Sequence, residues 1–207
     1  MQTPRLVYVT DPMCSWCYGF APALAAARAE LAPGVALELV AGGLAPDSDE
    51  PMDPATRRYV QAAWHAVTER TGVAFDHRFW EVAAPRRSTY PACRALVLAR
   101  ARGLGEELLA AIQRAYYREA RNPSDVDVLA DLAGQVGLDA EAFAAALTGA
   151  EAEELLQADL ARARALGATS FPSLAVAEGG HERLLASGCL GLDELLPLLR
   201  AAGLTAS

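Results

Sequence analysis

The chain has 207 residues, of which 53% are hydrophobic and 21% are charged. This composition excludes a disordered or fibrous protein and predicts a soluble globular fold with one large core, or a core with an attached subdomain. The formal net charge is −8 and all 18 basic residues are arginines without an extended cluster, which argues against nucleic acid or an anionic membrane as a partner. No segment reaches the roughly 20 apolar residues of a membrane span, and the N-terminus lacks an export signal pattern, so a cytoplasmic location is expected.

The first predicted element is a strand over residues 6–10, buried on both faces because its apolar residues run together without alternation. Two cysteines, Cys14 and Cys17, follow directly and open a predicted helix over residues 16–31. A helix N-terminus carries about half a positive charge and unpaired N–H groups, which stabilise a thiolate. A Cys-x-x-Cys pair at this strand–helix joint therefore predicts a redox-active dithiol.

A second predicted strand, residues 35–41, completes a strand–helix–strand unit with a parallel pair. A polar loop over residues 44–52 leads into more than a hundred residues of mainly helical pattern, whose boundaries are set by caps, prolines and glycines. Caps are predicted at Asp53, Ser124 and Asp139, and residues 73–89 are predicted to form a loop. The predicted helices of this block cover residues 54–70, 90–102, 106–120, 125–136, 140–147 and 150–166.

The strand pattern returns after Gly167, with two short strands at residues 173–177 and 183–186 joined by a hairpin turn. An amphipathic helix over residues 192–202 closes the chain. The order βαβ, helical block, ββα predicts an α/β protein with one sheet. Residues 1–50 and 167–207 are expected to build the sheet domain, and residues 51–166 are expected to form an inserted helical subdomain.

Three features together resemble the DsbA-like branch of the thioredoxin superfamily. They are Cys-Ser-Trp-Cys after the first strand, the helical insertion after the second, and Thr-Ser-Phe-Pro-Ser at residues 169–173, just before the third. The stretch Asp-Pro-Met-Cys-Ser-Trp-Cys-Tyr-Gly-Phe is most similar to a bacterial group of cytoplasmic disulfide oxidoreductases. The resemblance implies a thioredoxin fold with a long helical insertion, and a cis Pro172 that faces the dithiol. It also implies that no cofactor is bound, with glutathione as a candidate co-substrate.

The residues of the motif are expected to divide the chemistry between them. Cys14, exposed at the helix cap, is the predicted attacking thiol, and the more buried Cys17 resolves the mixed disulfide. Ser15 and Trp16 tune the potential; Trp16 stands where oxidising members of the family often carry a thiolate-stabilising histidine, which argues against a strong oxidant. Trp16 either offers an apolar surface to peptide substrates or packs against the insertion. Phe171 either flanks the dithiol, with its backbone available to an extended peptide, or is a core aromatic.

The other cysteines and the histidines carry no predicted chemistry of their own. Cys93 and Cys189 are expected to be small hydrophobic packing groups, with an auxiliary resolving role as the alternative. His65, His77 and His181 lack the spacing of metal ligands, so no metal site is predicted.

Three functional hypotheses follow. The first is a thiol-disulfide oxidoreductase or isomerase that exchanges disulfides with protein, peptide or small-thiol partners. The second is a glutathione-dependent isomerase or transferase of related fold, in which a serine usually replaces the leading cysteine. The third is a non-catalytic adaptor that presents a client to a protease and uses the dithiol as a redox-sensitive contact. The presence of both cysteines favours the first hypothesis.

Overall fold

The computed structural model describes residues 3–206; residues 1, 2 and 207, which the expected domain boundaries include, lie outside the described range. Its elements alternate as the α/β prediction requires, and the fold class is confirmed. In chain order they are β1 (Arg5–Thr10), α1 (Ser15–Arg28), β2 (Ala36–Ala41), α2 (Pro54–Thr71), α3 (Phe79–Val82), α4 (Tyr90–Ala101), α5 (Gly105–Arg118), α6 (Val126–Gln135), α7 (Ala140–Leu147), α8 (Ala150–Ala165), β3 (Ser173–Glu178), β4 (His181–Ser187) and α9 (Leu192–Ala201).

The four strands form one sheet in the order β2-β1-β3-β4. β1 runs parallel to β2 and antiparallel to β3, and β4 runs antiparallel to β3. The last residues of β1 pair with the first of β3, with Val9 opposite Ser173. The segment that follows β1 and the segment that precedes β3 therefore lie at the same end of the sheet, although about 160 residues separate them.

Both faces of the sheet are covered, which explains why β1 is a continuous apolar run. Leu6 and Tyr8 share one buried cluster with residues of α1, α4 and α9. Val7 and Val9 share another with Ala163 of α8 and with the residues that follow this helix. The prediction that β1 is buried on both faces is confirmed, since none of these four side chains exceeds 2% exposure.

Two side chains hydrogen-bond to backbone groups on the outer edge of β2. Edge strands leave backbone groups without partners and invite unwanted pairing. Here the guanidinium of Arg100 donates to the Leu39 carbonyl at 2.5 Å, and the carboxylate of Asp159 accepts the Ala41 N–H at 2.7 Å. Arg100 and Asp159 also pair with each other through two contacts, at 2.7 and 3.0 Å. The ion pair thus anchors α4 and α8 to the sheet.

A second core lies within the helices between β2 and β3, around the fully buried Trp64 of α2. Its indole contacts the rings of Phe79 and Trp80 at centroid distances of 5.8 and 4.9 Å. The prediction of a loop over residues 73–89 is wrong at residues 79–82. These residues form the short helix α3, in which the rings of Phe79 and Trp80 are buried. Tyr18 of α1 stacks on Tyr117 of α5 at 4.5 Å and joins this core to the first helix after β1.

The predicted helix caps are partly confirmed. Asp53 accepts the N–H groups of two first-turn residues of α2, and Asp139 accepts that of Ala142 in α7. The predicted cap at Ser124 is wrong. The N-cap of α6 is Asp125, while the Ser124 hydroxyl donates to the Ser88 carbonyl at 2.7 Å. Of the helices within residues 3–206, none combines the length and the hydropathy needed to cross a membrane.

Candidate active site

Cys14 is the N-cap residue of α1, with the extended backbone angles φ −84° and ψ 115°. Its N–H donates to the Asp11 carbonyl at 3.0 Å, and its carbonyl accepts the Tyr18 N–H at 3.1 Å. The turn over residues 11–14 therefore ends β1 and starts the helix within four residues. Cys14 therefore stands at the end of α1 where the N–H groups of the first helical turn are unpaired.

The two thiols differ in their acidity. The thiol of Cys17 hydrogen-bonds to the sulfur of Cys14 and lowers the pKa of Cys14, and the backbone N–H groups of Cys17 and Trp16 act in the same direction. Burial and the neighbouring Asp11 oppose this lowering. Burial raises the pKa of Cys17 well above its ordinary value, and the adjacent Cys14 adds to the rise. The pair is therefore arranged to hold one thiolate on Cys14 and one proton on Cys17.

The cysteines are more enclosed than the sequence predicts. Cys17 is fully buried and Cys14 is only 6% exposed, so the expectation of an exposed Cys14 is wrong, while the greater burial of Cys17 is confirmed. The cause is the segment before β3, whose Phe171 carbonyl lies 3.6 Å from the Cys14 sulfur.

The segment before β3 is held by its own contacts. The Phe171–Pro172 peptide bond is cis, which is the geometry that the family resemblance implied. The Pro172 carbonyl accepts the Gly188 N–H at 2.8 Å, which extends the β3–β4 ladder. Phe171 flanks the dithiol and also packs on the sheet. Its carbonyl faces Cys14, while its partly buried ring packs on the cluster that contains Val7.

Ser15 and Trp16, the residues between the cysteines, face different surroundings. Ser15 is buried at 8% exposure. The Trp16 side chain is partly exposed, and within residues 3–206 it belongs to none of the three buried clusters and to no aromatic pair. Its indole is therefore partly exposed and lies outside the buried clusters.

Sequence reasoning missed a buried carboxylate next to the dithiol. Asp11 is fully buried, and its Oδ1 atom accepts the Met13 N–H at 2.8 Å. Its Oδ2 atom accepts the Leu44 N–H at 2.7 Å, the Thr89 hydroxyl at 2.6 Å and the Cys93 thiol at 3.4 Å. Burial raises the pKa of Asp11 above its ordinary value, although these hydrogen bonds oppose the rise. The carboxylate thus ties the turn before Cys14 to the start of α4.

The remaining cysteines also differ from each other. Cys93 is not merely a packing group, since its thiol donates to Asp11. Burial and the Asp11 carboxylate raise the pKa of Cys93 well above its ordinary value, which makes this thiol a poor nucleophile. Cys189 is partly buried, and burial raises the pKa of its thiol. Among the residues that the structure describes, no group of three histidine, cysteine or acidic side chains converges as metal ligands would.

Comparison with known proteins places these features in context. A family model described as the DSBA-like thioredoxin domain matches residues 5–200. Among curated proteins, the ClpXP adapter protein SpxH of Bacillus subtilis (strain 168) is 26% identical over 184 residues, which cover 86% of this chain. The match spans 60% of the length of that relative.

Solved structures share the fold over nearly the whole chain. A Nitrosomonas europaea structure, named provisionally as a protein disulfide isomerase, superposes with a TM-score of 0.86 at 31% identity, over 96% of this chain and 97% of that one. The cytosolic disulfide reductase DsbM of Pseudomonas aeruginosa superposes with a TM-score of 0.77 at 31% identity, over 96% and 98%. A second DsbM structure, determined with GSH, superposes with a TM-score of 0.76 at 29% identity, over the same shares of the two chains.

Proposed function

Because this chain belongs to the DSBA-like thioredoxin domain family, we propose that it is a thiol-disulfide oxidoreductase that works through Cys14 and Cys17. One observation carries the proposal. Cys14 is the N-cap residue of α1, its pKa is lowered chiefly by the neighbouring Cys17 thiol, and its sulfur lies 3.6 Å from the Phe171 carbonyl. A cysteine with a lowered pKa beside a second cysteine that can resolve the mixed disulfide is what disulfide exchange requires.

The exchange proceeds in two steps. The Cys14 thiolate attacks one sulfur of a substrate disulfide, which forms a mixed disulfide and releases the other substrate sulfur as a thiolate. Cys17 then passes its proton to the released substrate thiolate and attacks the Cys14 sulfur, which releases the second substrate sulfur and leaves a Cys14–Cys17 disulfide. The substrate gains two electrons and the dithiol loses two. The high pKa of Cys17 keeps it protonated until Cys14 has reacted.

We further propose that the direction is reductive and that the substrates are protein or peptide disulfides and glutathione-linked disulfides. The similarity to the cytosolic disulfide reductase DsbM, one of whose structures contains GSH, supports this direction and glutathione as the returning thiol. The same relative supports a cytoplasmic location. The partly exposed side chain of Trp16, between the two cysteines in sequence, is the proposed apolar contact for a peptide.

An adaptor function is the second candidate, since the Bacillus relative is named as a ClpXP adapter. An adaptor needs a binding surface but does not need a nucleophilic cysteine. The lowered pKa of Cys14 therefore favours catalysis. Retention of a co-purifying protease or regulator by a Cys14→Ser variant would support the adaptor instead.

Insulin reduction tests the proposed function. The purified chain, supplied with glutathione, NADPH and glutathione reductase, is expected to consume NADPH in the presence of insulin. Cys14→Ser should reduce this rate to the uncatalysed level, and Cys17→Ser should accumulate a mixed disulfide that non-reducing electrophoresis detects. Cys189→Ser is the matched control and should keep the full rate. Unchanged turnover in Cys14→Ser would refute the proposal.

A further inference from the structure

We propose that Asp11 is a positioning residue that weakens the oxidising power of the Cys14–Cys17 couple by holding a negative charge beside Cys14. The inference deepens the proposed function and rests on it. Asp11 holds the turn in two ways, because its carbonyl accepts the Cys14 N–H at 3.0 Å and its carboxylate accepts the Met13 N–H at 2.8 Å. No other residue between β1 and α1 contacts this turn through both its backbone and its side chain, among the hydrogen bonds of residues 3–206.

The hydrogen bonds around Asp11 fit a carboxylate better than a carboxylic acid. Two of the four partners are the backbone N–H groups of Met13 and Leu44, which can only donate. The third partner is the Thr89 hydroxyl, whose oxygen accepts the Ala45 N–H at 3.0 Å. The hydroxyl hydrogen of Thr89 must therefore point to a different acceptor. The nearest acceptor for that hydrogen is Asp11 at 2.6 Å, whereas the Ala45 carbonyl lies at 3.3 Å. Asp11 thus meets donors on both oxygens, which is the environment of an ionised group.

A carboxylate in this position acts directly on Cys14. Its negative charge acts to raise the pKa of Cys14, against the lowering produced by the Cys17 thiol. Because both Asp11 and Cys14 are almost completely buried, water screens this repulsion poorly. Stabilisation of the thiolate favours the reduced form and makes a dithiol oxidising, so destabilisation makes it reducing. Asp11 therefore shifts the couple toward the reductive direction.

Other titratable groups also face the dithiol but do not replace Asp11. Tyr8 of β1 donates to the Cys17 carbonyl at 3.5 Å, and burial raises the pKa of its phenol well above the ordinary value. Burial does the same to the pKa of Tyr117 on α5 and also raises that of the Cys189 thiol after β4. A phenol or a thiol whose pKa is raised stays neutral at physiological pH. Among the main influences on the pKa of Cys14, Asp11 is thus the one acidic side chain.

An Asp11→Asn variant tests the inference, because asparagine keeps the size of the side chain and one acceptor oxygen but removes the charge. Two equilibria are measured: thiolate absorbance at 240 nm against pH, and the dithiol–disulfide ratio in glutathione buffers. We expect the pKa of Cys14 to fall by about one unit, which corresponds to a tenfold change in thiolate stability. The redox equilibrium should shift about tenfold toward the dithiol, which is about 30 mV for two electrons.

The matched control is Asp53→Asn. Asp53 also accepts two backbone N–H groups, at 2.9 and 3.0 Å, but it is the exposed N-cap of α2. Both equilibria should be unchanged in this variant. A folded Asp11→Asn protein with unchanged thiolate titration and redox equilibrium would overturn the inference and leave Asp11 a purely structural role.

Two precautions keep the test decisive. If circular dichroism shows that Asp11→Asn does not fold, the test is repeated with Asp11→Ser. A serine hydroxyl at position 11 can also accept the Met13 N–H. The same two equilibria and the same criterion then apply. Neither measurement requires turnover, so the inference can fail while insulin reduction succeeds. A wild-type chain that does not reduce insulin would refute the proposed function alone.

Discussion

Replacement of Gly42 by alanine tests how firmly the segment over Cys14 is held. An added Cβ at Gly42 would lie 2.3, 2.5 and 2.7 Å from three carbons of the Phe171 ring. Ordinary van der Waals contact begins at 3.4 Å, so the nearest ring carbon must move by 3.4 − 2.3 = 1.1 Å. Because the Phe171 carbonyl lies 3.6 Å from the Cys14 sulfur, a displaced ring disturbs the cover of the thiol.

The size of the effect follows from overpacking. Gly42 does not have a positive φ, so alanine can adopt its backbone conformation and the cost is steric. Insertion of a methyl group into a packed site costs about 1–3 kcal/mol, and we expect Gly42→Ala to lower the free energy of unfolding by this amount. In a Phe171→Ala background the clash is absent, so the same substitution should cost close to nothing. The coupling energy of the double-mutant cycle then equals the cost of Gly42→Ala.

Two measurements complete this test. Urea denaturation followed by tryptophan fluorescence gives the four free energies of the cycle, and iodoacetamide alkylation gives the accessibility of Cys14. We expect Gly42→Ala to speed alkylation of Cys14. The control is Gly134→Ala in the last turn of α6, where the added Cβ meets its nearest neighbour at 3.5 Å, so this variant should not lower the free energy of unfolding. If the effects of Gly42→Ala and Phe171→Ala on the free energy of unfolding are additive, the inferred clash between residue 42 and the Phe171 ring is refuted.

Three further predictions concern the sheet edge and the thiols. Asp159→Ala should destabilise the protein by about 3 kcal/mol in urea denaturation, because it leaves the guanidinium of Arg100 without its buried partner. Glu38→Gln should destabilise above pH 4.5, the ordinary pKa of a glutamate, because a hydrogen bond from Arg162 holds the pKa of Glu38 below that value. The stability that ionised Glu38 contributes to the wild-type protein should disappear as the pH falls through the lowered pKa of Glu38. Alkylation of Cys14 should reach its half-maximal rate below pH 9.0, the ordinary pKa of a thiol.

The Glu38 and Cys14 predictions each have an internal control, and each of the stability predictions has an outcome that contradicts it. Glu178→Gln removes an exposed carboxylate of β3 that has no ion pair among the described residues, and it should leave stability unchanged at every pH. Unchanged stability of Asp159→Ala would show that the edge of β2 does not depend on the ion pair. A Glu38→Gln effect that persists at low pH would contradict the assigned origin of the stabilisation. Cys93 should resist alkylation in the folded state, because it is fully buried and its pKa is raised.

The local features of the fold could be predicted from the sequence. Runs of apolar residues identified β1 and β3, and the capping aspartates Asp53 and Asp139 identified the starts of α2 and α7. These signals depend on neighbours within about four residues, which a single sequence displays directly. The short helix α3 was missed because packing of Phe79 and Trp80 on Trp64, a nonlocal contact, decides its conformation.

The candidate site could be predicted only in part, for the same reason. The spacing of Cys14 and Cys17 at a strand–helix joint is a local signal, and the family resemblance supplied Pro172. The contacts of Asp11 with Thr89 and Cys93 join residues 78 and 82 positions apart, and nothing in the sequence pairs them. The only sign was an acidic residue between a buried strand and the dithiol, which the sequence alone does not distinguish from a turn residue.

The helical block between β2 and β3 therefore does more than cover the sheet. Thr89 is the residue before α4 and Cys93 lies in its first turn, and both donate to the carboxylate that holds the turn before Cys14. The segment before β3, which follows the helical block, brings the Phe171 carbonyl to the Cys14 sulfur. A displacement of α4 would remove donors from Asp11 and change the charge that Cys14 experiences without touching either cysteine. Substitutions at the start of α4 should consequently shift the redox equilibrium of the dithiol, whereas equally buried substitutions around Trp64 should change only stability.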